Sequence, residues 1–141
     1  MKRVAVIGGG LAGCEAAWQL QSLGVQAVIF EMKPHVFSPA HSSPMLAELV
    51  CSNSLRSESP TSAVGLLKEE MSRASSLVMA MAGRTRVPAG KALAVDREEF
   101  AALVTASLEQ SIGVEIRRQE VRGLSDPNLT GFDHVLIAAG P

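Results

Sequence analysis

The spacing of apolar positions changes several times along the chain, and each change marks an element. Arg3 to Ile7 is a short β-branched run, which predicts a buried strand. It leads into Gly8-Gly9-Gly10-Leu11-Ala12-Gly13. Gly13, Ala16, Ala17 and Leu20 then share one helical face, so a helix is expected over residues 11–23. Gly24 sits where a left-handed C-cap belongs. Val25 to Glu31 reads as a second strand, stopped by Pro34. Together these make a strand–helix–strand unit of about 30 residues, the size of a βαβ crossover.

Residues 34–60 are rich in proline and serine and read as one long loop, a length that in compact domains usually has a functional reason. Met45 to Val50 is a candidate short helix within it. Thr61 or Ser62 can cap the next helix. Val64, Leu67, Met71, Ala74, Val78 and Met81 then recur at helical spacing up to Gly83, predicting one long amphipathic helix whose stripe is core or partner packing. Arg84 to Val95 looks extended, with a turn at Pro88-Ala89-Gly90. Asp96 with Glu99 is a helix-start signature. Phe100, Leu103, Val104, Ser107 and Leu108 give that helix its buried face, and Gly113 closes it. Val114 to Arg118, Glu120 to Leu124 and Phe132 to Ala138 read as strands. No internal repeat is visible.

Composition narrows the function classes. With 47% hydrophobic and 19% charged residues, the 141-residue chain is globular and long enough for one cored domain. A net charge of −1 offers no strong basic field for nonspecific nucleic-acid or membrane binding. Two cysteines, at positions 14 and 51, make neither a disulfide framework nor a Cys-rich metal site, and the three scattered histidines do not supply one; no metal is expected. Met1-Lys2-Arg3 and the run to Cys14 have some features of a secretory or lipoprotein signal, but Gly8-Gly9-Gly10 interrupts the apolar stretch. No run approaches the ~18 residues of a membrane span, so a cytoplasmic protein with no membrane partner is the expectation.

The chemistry concentrates in Gly8-x-Gly10-x-x-Gly13, which follows a strand and opens a helix. Gly8 permits a tight turn, Gly10 lets backbone approach a pyrophosphate, and Gly13 allows close helix–strand packing. The free N–H groups of Leu11, Ala12 and Gly13 face an anion, helped by the helix dipole. Glu31, at the end of the second strand, can accept hydrogen bonds from both ribose hydroxyls of an adenosine and disfavours a 2′-phosphate. FAD or NAD is therefore expected over NADP. Lys33 is either a secondary adenosine contact or an exposed lysine. Ile137-Ala138-Ala139-Gly140 is similar to the apolar strand ending in Ala-Thr-Gly that returns beneath FAD in two-dinucleotide-domain flavoproteins, with alanine in place of the threonine.

Four blocks make the resemblance specific. Gly8 to Ala17, Phe30-Glu31-Met32-Lys33-Pro34, Glu48-Leu49-Val50-Cys51-Ser52-Asn53-Ser54-Leu55-Arg56-Ser57 and Pro88 to Arg97 together resemble the folate- and FAD-dependent tRNA uracil-5-methyltransferases. The third block discriminates, because many flavoproteins share the glycine fingerprint. The resemblance covers nearly the whole chain. It implies an α/β fold: an incomplete Rossmann-type FAD-binding domain, with a mostly parallel sheet and flanking helices. Residues 1–141 would be the N-terminal part of a longer flavoprotein, with 34–60 a functional loop inside it. The family takes a methylene group from methylenetetrahydrofolate, reduces it through flavin and NAD(P)H, and places a methyl on C5 of a T-loop uridine in tRNA. This chain would supply the FAD ADP-moiety site: Gly8, Gly9, Gly10, Leu11, Ala12, Gly13, Glu31, Lys33, Val121 through its backbone, and Gly140. Much of the tRNA surface would lie outside it.

The resemblance also places Cys51 near flavin and substrate, where a thiolate could add to uracil C6; the alternative is a substrate-lining thiol or small loop residue. Cys14 is expected to pack against the sheet. Asn53 and Arg56 are candidate contacts to flavin, folate or RNA, or solvated loop residues. Lys68, Arg73, Arg84, Arg86 and Lys91 read as a mixed solvated face or part of an RNA or polyglutamate-folate footprint. His35 and His41 have no evident partner, and His134 reads as structural. Two alternatives stand: another FAD oxidoreductase, such as the tRNA wobble-uridine modifying flavoprotein, and an inactive dinucleotide-binding fragment.

Overall fold

The computed structural model describes residues 1–140; Pro141, the last residue of the expected domain, lies outside the described residues. The elements, in order, are β1 (Arg3–Ile7), α1 (Leu11–Ser22), β2 (Gln26–Glu31), β3 (Ser54–Ser57), α2 (Ala63–Arg73), α3 (Leu77–Arg84), β4 (Arg86–Val87), β5 (Ala92–Val95), α4 (Arg97–Glu109), β6 (Val114–Arg118) and β7 (His134–Ile137). A single 3-10 turn, Pro127–Leu129, precedes β7.

The main sheet has the order β6-β2-β1-β7, and every pairing in it is parallel. β1 and β2 are buried because α1 and α4 cover one face of this sheet, with α3 packed against both helices; Val6, Ala17, Ile29, Phe100, Val104 and Leu108 meet there. The other face has a smaller cluster of Ala5, Val28, Phe30 and Leu129. Phe132 meets the Phe30 ring edge-on at 5.8 Å. The chain leaves β2 on one side of β1 and returns through β7 on the other. Strand order thus reverses at the carboxyl ends of β1 and β7, where open α/β sheets bind ligands.

The stretch between β2 and α4 carries a second, antiparallel sheet of order β3-β5-β4. The loop expected over residues 34–60 therefore contains a strand. Gly90, at φ +61°, makes the turn before β5. Met45 to Val50 is not a helix: Ala47 takes φ +53°, outside the helical region. Glu120 to Leu124 is not a strand, and the chain turns there before the 3-10 turn.

The predicted long helix is two helices. The break has a cause in α1. Ser75 adopts φ +58°, and the Ser76 side chain caps α3 at the Met79 N–H. The Glu15 carboxylate accepts from Ser76 Oγ at 2.7 Å and from the Val78 N–H at 3.0 Å. On the other side of the break, Trp18 Nε1 donates to the Ser75 carbonyl and Gln19 Nε2 to the Ala74 carbonyl. Polar side chains of α1 thus satisfy backbone groups that a continuous helix would have paired internally. After the break, Val78 is buried, while Leu67 of α2 remains 54% exposed.

Candidate functional site

A cleft of about 490 Å³ opens at the strand-order reversal, between the glycine turn, the end of β2, the 38–50 segment and the residues after β6 and β7. Its floor is the β1–α1 turn. Gly8 has φ +105°, and a Cβ there would run into the Ala138 carbonyl. Gly13 lies so close beneath the turn that a Cβ would run into the Gly8 carbonyl. Both positions need glycine for packing within the protein. Gly10 does not: its φ of −76° suits any residue, and a Cβ would meet nothing within 4 Å. The space that Gly10 keeps clear belongs to the cleft.

α1 begins immediately after Gly10 with no side-chain cap and no acidic residue in its first turn. Its positive dipole end is therefore not offset by any side chain of its own first turn. Gly9 is pressed from two directions. A Cβ there would lie 2.5 Å from Leu46 Cδ2 and 2.7 Å from Glu31 Oε2.

Glu31 is buried at the carboxyl end of β2. Its Oε2 accepts the Gly9 N–H at 2.9 Å and its Oε1 the Lys33 N–H at 2.9 Å. Each oxygen keeps a second lone pair, so the carboxylate is oriented without being saturated.

Lys33 is buried, not exposed. Its ammonium donates to the Met45 carbonyl at 2.7 Å and pairs with Glu48 at 3.1 Å. Glu48 in turn accepts the Ser42 and Ser43 N–H groups, each at 3.0 Å. Burial alone would push the Glu48 carboxyl up, but those two amides and the Lys33 ammonium outweigh it and hold it below the usual carboxylate range. The Arg118 guanidinium, from the end of β6, donates to the Pro44 carbonyl at 2.7 Å. Leu46 N–H donates to Thr105 Oγ1 on α4, and Ala47 N–H to the Gly9 carbonyl at 2.8 Å. Residues 42–48 therefore form a strap pinned to the glycine turn, to β6 and to α4.

The cleft brings together Gly8, Gly9, Gly10, Leu11, Ala12, Glu31, Lys33, Val121 and Gly140, with Gly13 packed beneath. Cys51 is exposed and lies outside it, on a separate hollow of about 680 Å³ shared with Asn53, Val95, Asp96 and Arg97. Asn53 is partly committed to structure, since its Nδ2 donates to the Val95 carbonyl. Cys14 is buried as expected. Its Sγ donates to the Gly9 carbonyl at 3.3 Å, and burial pushes its thiol from 9.0 to about 12.

Arg118, Leu46, Thr105 and Glu48 were not visible as partners of the site in the sequence. For the Lys33–Glu48 pair the sequence shows a lysine just before a proline-rich loop and a glutamate in the middle of it. Among the described residues no helix is long and apolar enough to cross a membrane, and no group of three or more His, Cys, Asp or Glu side chains is placed to hold a metal ion.

Comparison with known proteins places the chain in context. A family model described as glucose inhibited division protein A matches residues 3–141. A protein of Oleidesulfovibrio alaskensis named methylenetetrahydrofolate–tRNA-(uracil-5-)-methyltransferase TrmFO is 61% identical over 137 residues, covering 97% of this chain and 31% of its own length. The protein of the same name from Geobacter sulfurreducens is 57% identical over 138 residues, covering 98% of this chain and 31% of its own length. The chain thus spans about a third of the length of these relatives. The structure of Aquifex aeolicus GidA superposes with a TM-score of 0.66 at 18% identity, covering 84% of this chain and 20% of that one, a likeness of fold.

Proposed function

The chain belongs to the glucose inhibited division protein A family, and on that premise we propose that it forms the adenosine-diphosphate half of an FAD site in a folate-dependent tRNA (uracil-5-)-methyltransferase. Residues 1–141 act as one Rossmann-type unit, and residues 34–60 are its functional loop. The observation that carries the reading is Gly10. It is the one glycine of the motif with no packing need, and it keeps empty the space in front of an uncapped helix N-terminus.

Bound there, FAD would supply hydride-transfer chemistry. The chain's own residues do the rest. The N–H groups of Leu11, Ala12 and Gly13 cradle the pyrophosphate, with Gly8 and Gly9 shaping the turn beneath it. Glu31, already fixed by Gly9 and Lys33, accepts the ribose hydroxyls and repels a 2′-phosphate. Lys33 serves through the strap it holds to Glu48. Val121 offers its backbone to the adenine edge, and Gly140 closes the cleft from the β7 side.

The finer assignment has two supports: the names of the relatives and the Glu48-to-Ser57 block. On this reading methylenetetrahydrofolate gives the one-carbon unit, NAD(P)H the electrons, and a T-loop uridine of tRNA accepts the methyl, in the cytoplasm. Cys51 is exposed beside the Asn53 hollow; on this reading its sulfur adds to uracil C6 as the C5=C6 π bond becomes a C5 enolate, C5 takes the one-carbon unit, and loss of the C5 proton restores the double bond and expels the sulfur.

The test is an FAD titration of the wild-type chain and of Glu31→Ala, followed by flavin fluorescence. Binding that weakens about tenfold or more in the variant supports the reading, since a bidentate charge-assisted contact is worth that much. Equal binding by both proteins removes Glu31 from the site.

A further inference from the structure

Resting on the ADP-site reading, we propose that His41 is a phosphate-contacting residue of the same cleft, oriented by Ser38. Sequence alone gave this histidine no partner. In the structure Ser38 and His41 both line the cleft that contains the glycine turn. They close a turn on themselves, with the His41 N–H on the Ser38 carbonyl at 3.1 Å and Ser38 Oγ 2.6 Å from His41 Nδ1. With Nδ1 engaged, Nε2 is the ring atom left to meet a ligand. In the imidazolium form Ser38 accepts and Nε2 donates.

The turn is not loose. The next two residues, Ser42 and Ser43, have their N–H groups held by Glu48, and Glu48 is held by Lys33. His41 is therefore carried on the strap that is fixed to the glycine turn.

Charge accounting points the same way. Among the described residues lining the cleft, the basic side chains are Lys33 and His41. Lys33 is consumed by Glu48 and the Met45 carbonyl. Arg118, nearby, is turned onto the Pro44 and Lys33 carbonyls. The charged groups lining the cleft with His41 are Glu31 at the end of β2, Lys33 just after it, Glu48 on the strap and Glu120 after β6. Lys33 and Glu48 neutralise each other, and Glu120 is paired with Arg122 at 3.1 Å, so Glu31 is the carboxylate left without a cationic partner. His41 is then the one basic lining side chain not held in an ion pair, and its Nε2–H is the donor it offers to a phosphate oxygen.

The experiment is calorimetric titration of the chain with ADP and with adenosine for wild type, His41→Gln and Ser38→Ala, with circular dichroism confirming each fold. His41→Gln should weaken ADP about tenfold, the size of one charge-assisted hydrogen bond to phosphate, while leaving adenosine unchanged. Ser38→Ala should weaken ADP by less, with adenosine again unchanged. ADP binding that is unchanged in His41→Gln, or that weakens equally for ADP and adenosine, overturns the phosphate contact while the ADP site stands. A folded wild-type chain that binds no ADP overturns both readings.

Discussion

Glu31 Oε2 accepts the Gly9 amide hydrogen at 2.9 Å. That one bond joins the end of β2 to the glycine turn and sets the carboxylate beside the mouth of α1. An acid proposed to bind a ribose gains affinity when its rotamer is fixed before the ligand arrives, because an unfixed side chain must be ordered on binding. Here the turn and the Lys33 amide fix it from both sides.

The glycines of the turn should separate into two kinds. Gly13→Ala places a methyl against the Gly8 carbonyl and should unfold or strongly destabilise the chain. Gly10→Ala meets no protein atom and has an ordinary φ, so its melting temperature should stay within a few degrees of wild type, a shift of about 0.5 kcal/mol. Its FAD affinity should nevertheless fall about tenfold or more, because the methyl occupies the ligand's space. Thermal melts and FAD titrations of the two variants, side by side, check this; unchanged FAD binding by Gly10→Ala would place the pyrophosphate elsewhere.

The strap should respond to acid. The Glu48 carboxyl is held below 4.5, so its contribution to stability is present above the ordinary carboxylate range and is lost as pH falls through its folded value. Lys33→Met removes the ammonium but leaves the Ser42 and Ser43 amides. The expected cost is about 1–3 kcal/mol, less than the full penalty for orphaning a buried charge. The acid unfolding midpoint should move to higher pH in Lys33→Met. An acid limb identical to wild type would show that the pair contributes nothing.

α3 should depend on a residue 60-odd positions away. Glu15→Ala leaves the Val78 N–H and Ser76 Oγ without their acceptor, an expected loss of about 1–3 kcal/mol. Hydrogen exchange would show the effect as faster exchange at the start of α3, with α4 little changed. Uniform loosening of the whole domain would contradict a local capping role.

The two cysteines should be chemically distinct. At pH 8 iodoacetamide should modify exposed Cys51 and leave Cys14 untouched until the chain unfolds, since the Cys14 thiol is buried and shifted to about 12. Mass spectrometry of the intact chain reads one adduct or two. Because the folded value is raised above 9.0, Cys14 adds stability that is fully present below pH 9 and is lost as pH rises toward 12.

Local signals carried the βαβ unit. β1, α1, β2 and Gly24 at φ +74° fall where periodicity and capping rules put them. Gly8, Gly10, Gly13 and Glu31 were legible because strand, turn and helix are contiguous there. Long-range partners defeated the rest. The spacing of the 64–81 stripe reads as one helix, and Glu15, Trp18 and Gln19, far earlier in the chain, reveal why it breaks at Ser75. Likewise the sequence leaves Lys33 as either an adenosine contact or an exposed lysine, and its pairing with Glu48 appears only once the loop folds back. Glu120 to Leu124 has strand-like composition, but its backbone is used in a turn: the Arg122 N–H donates to the Asp126 carboxylate and the Asp126 N–H to the Gly123 carbonyl, each at 3.1 Å.

The most direct measurement is an amide-resolved NMR titration of the isotope-labelled chain with ADP. The account predicts saturable shifts concentrated at Gly8 to Ala12, at Glu31, at His41 and at the 42–48 strap, with the Asn53 hollow unaffected. Shifts centred on Cys51, Asn53 and Arg97, or no saturable shifts in a folded chain, would contradict an adenosine-diphosphate site at the mouth of α1.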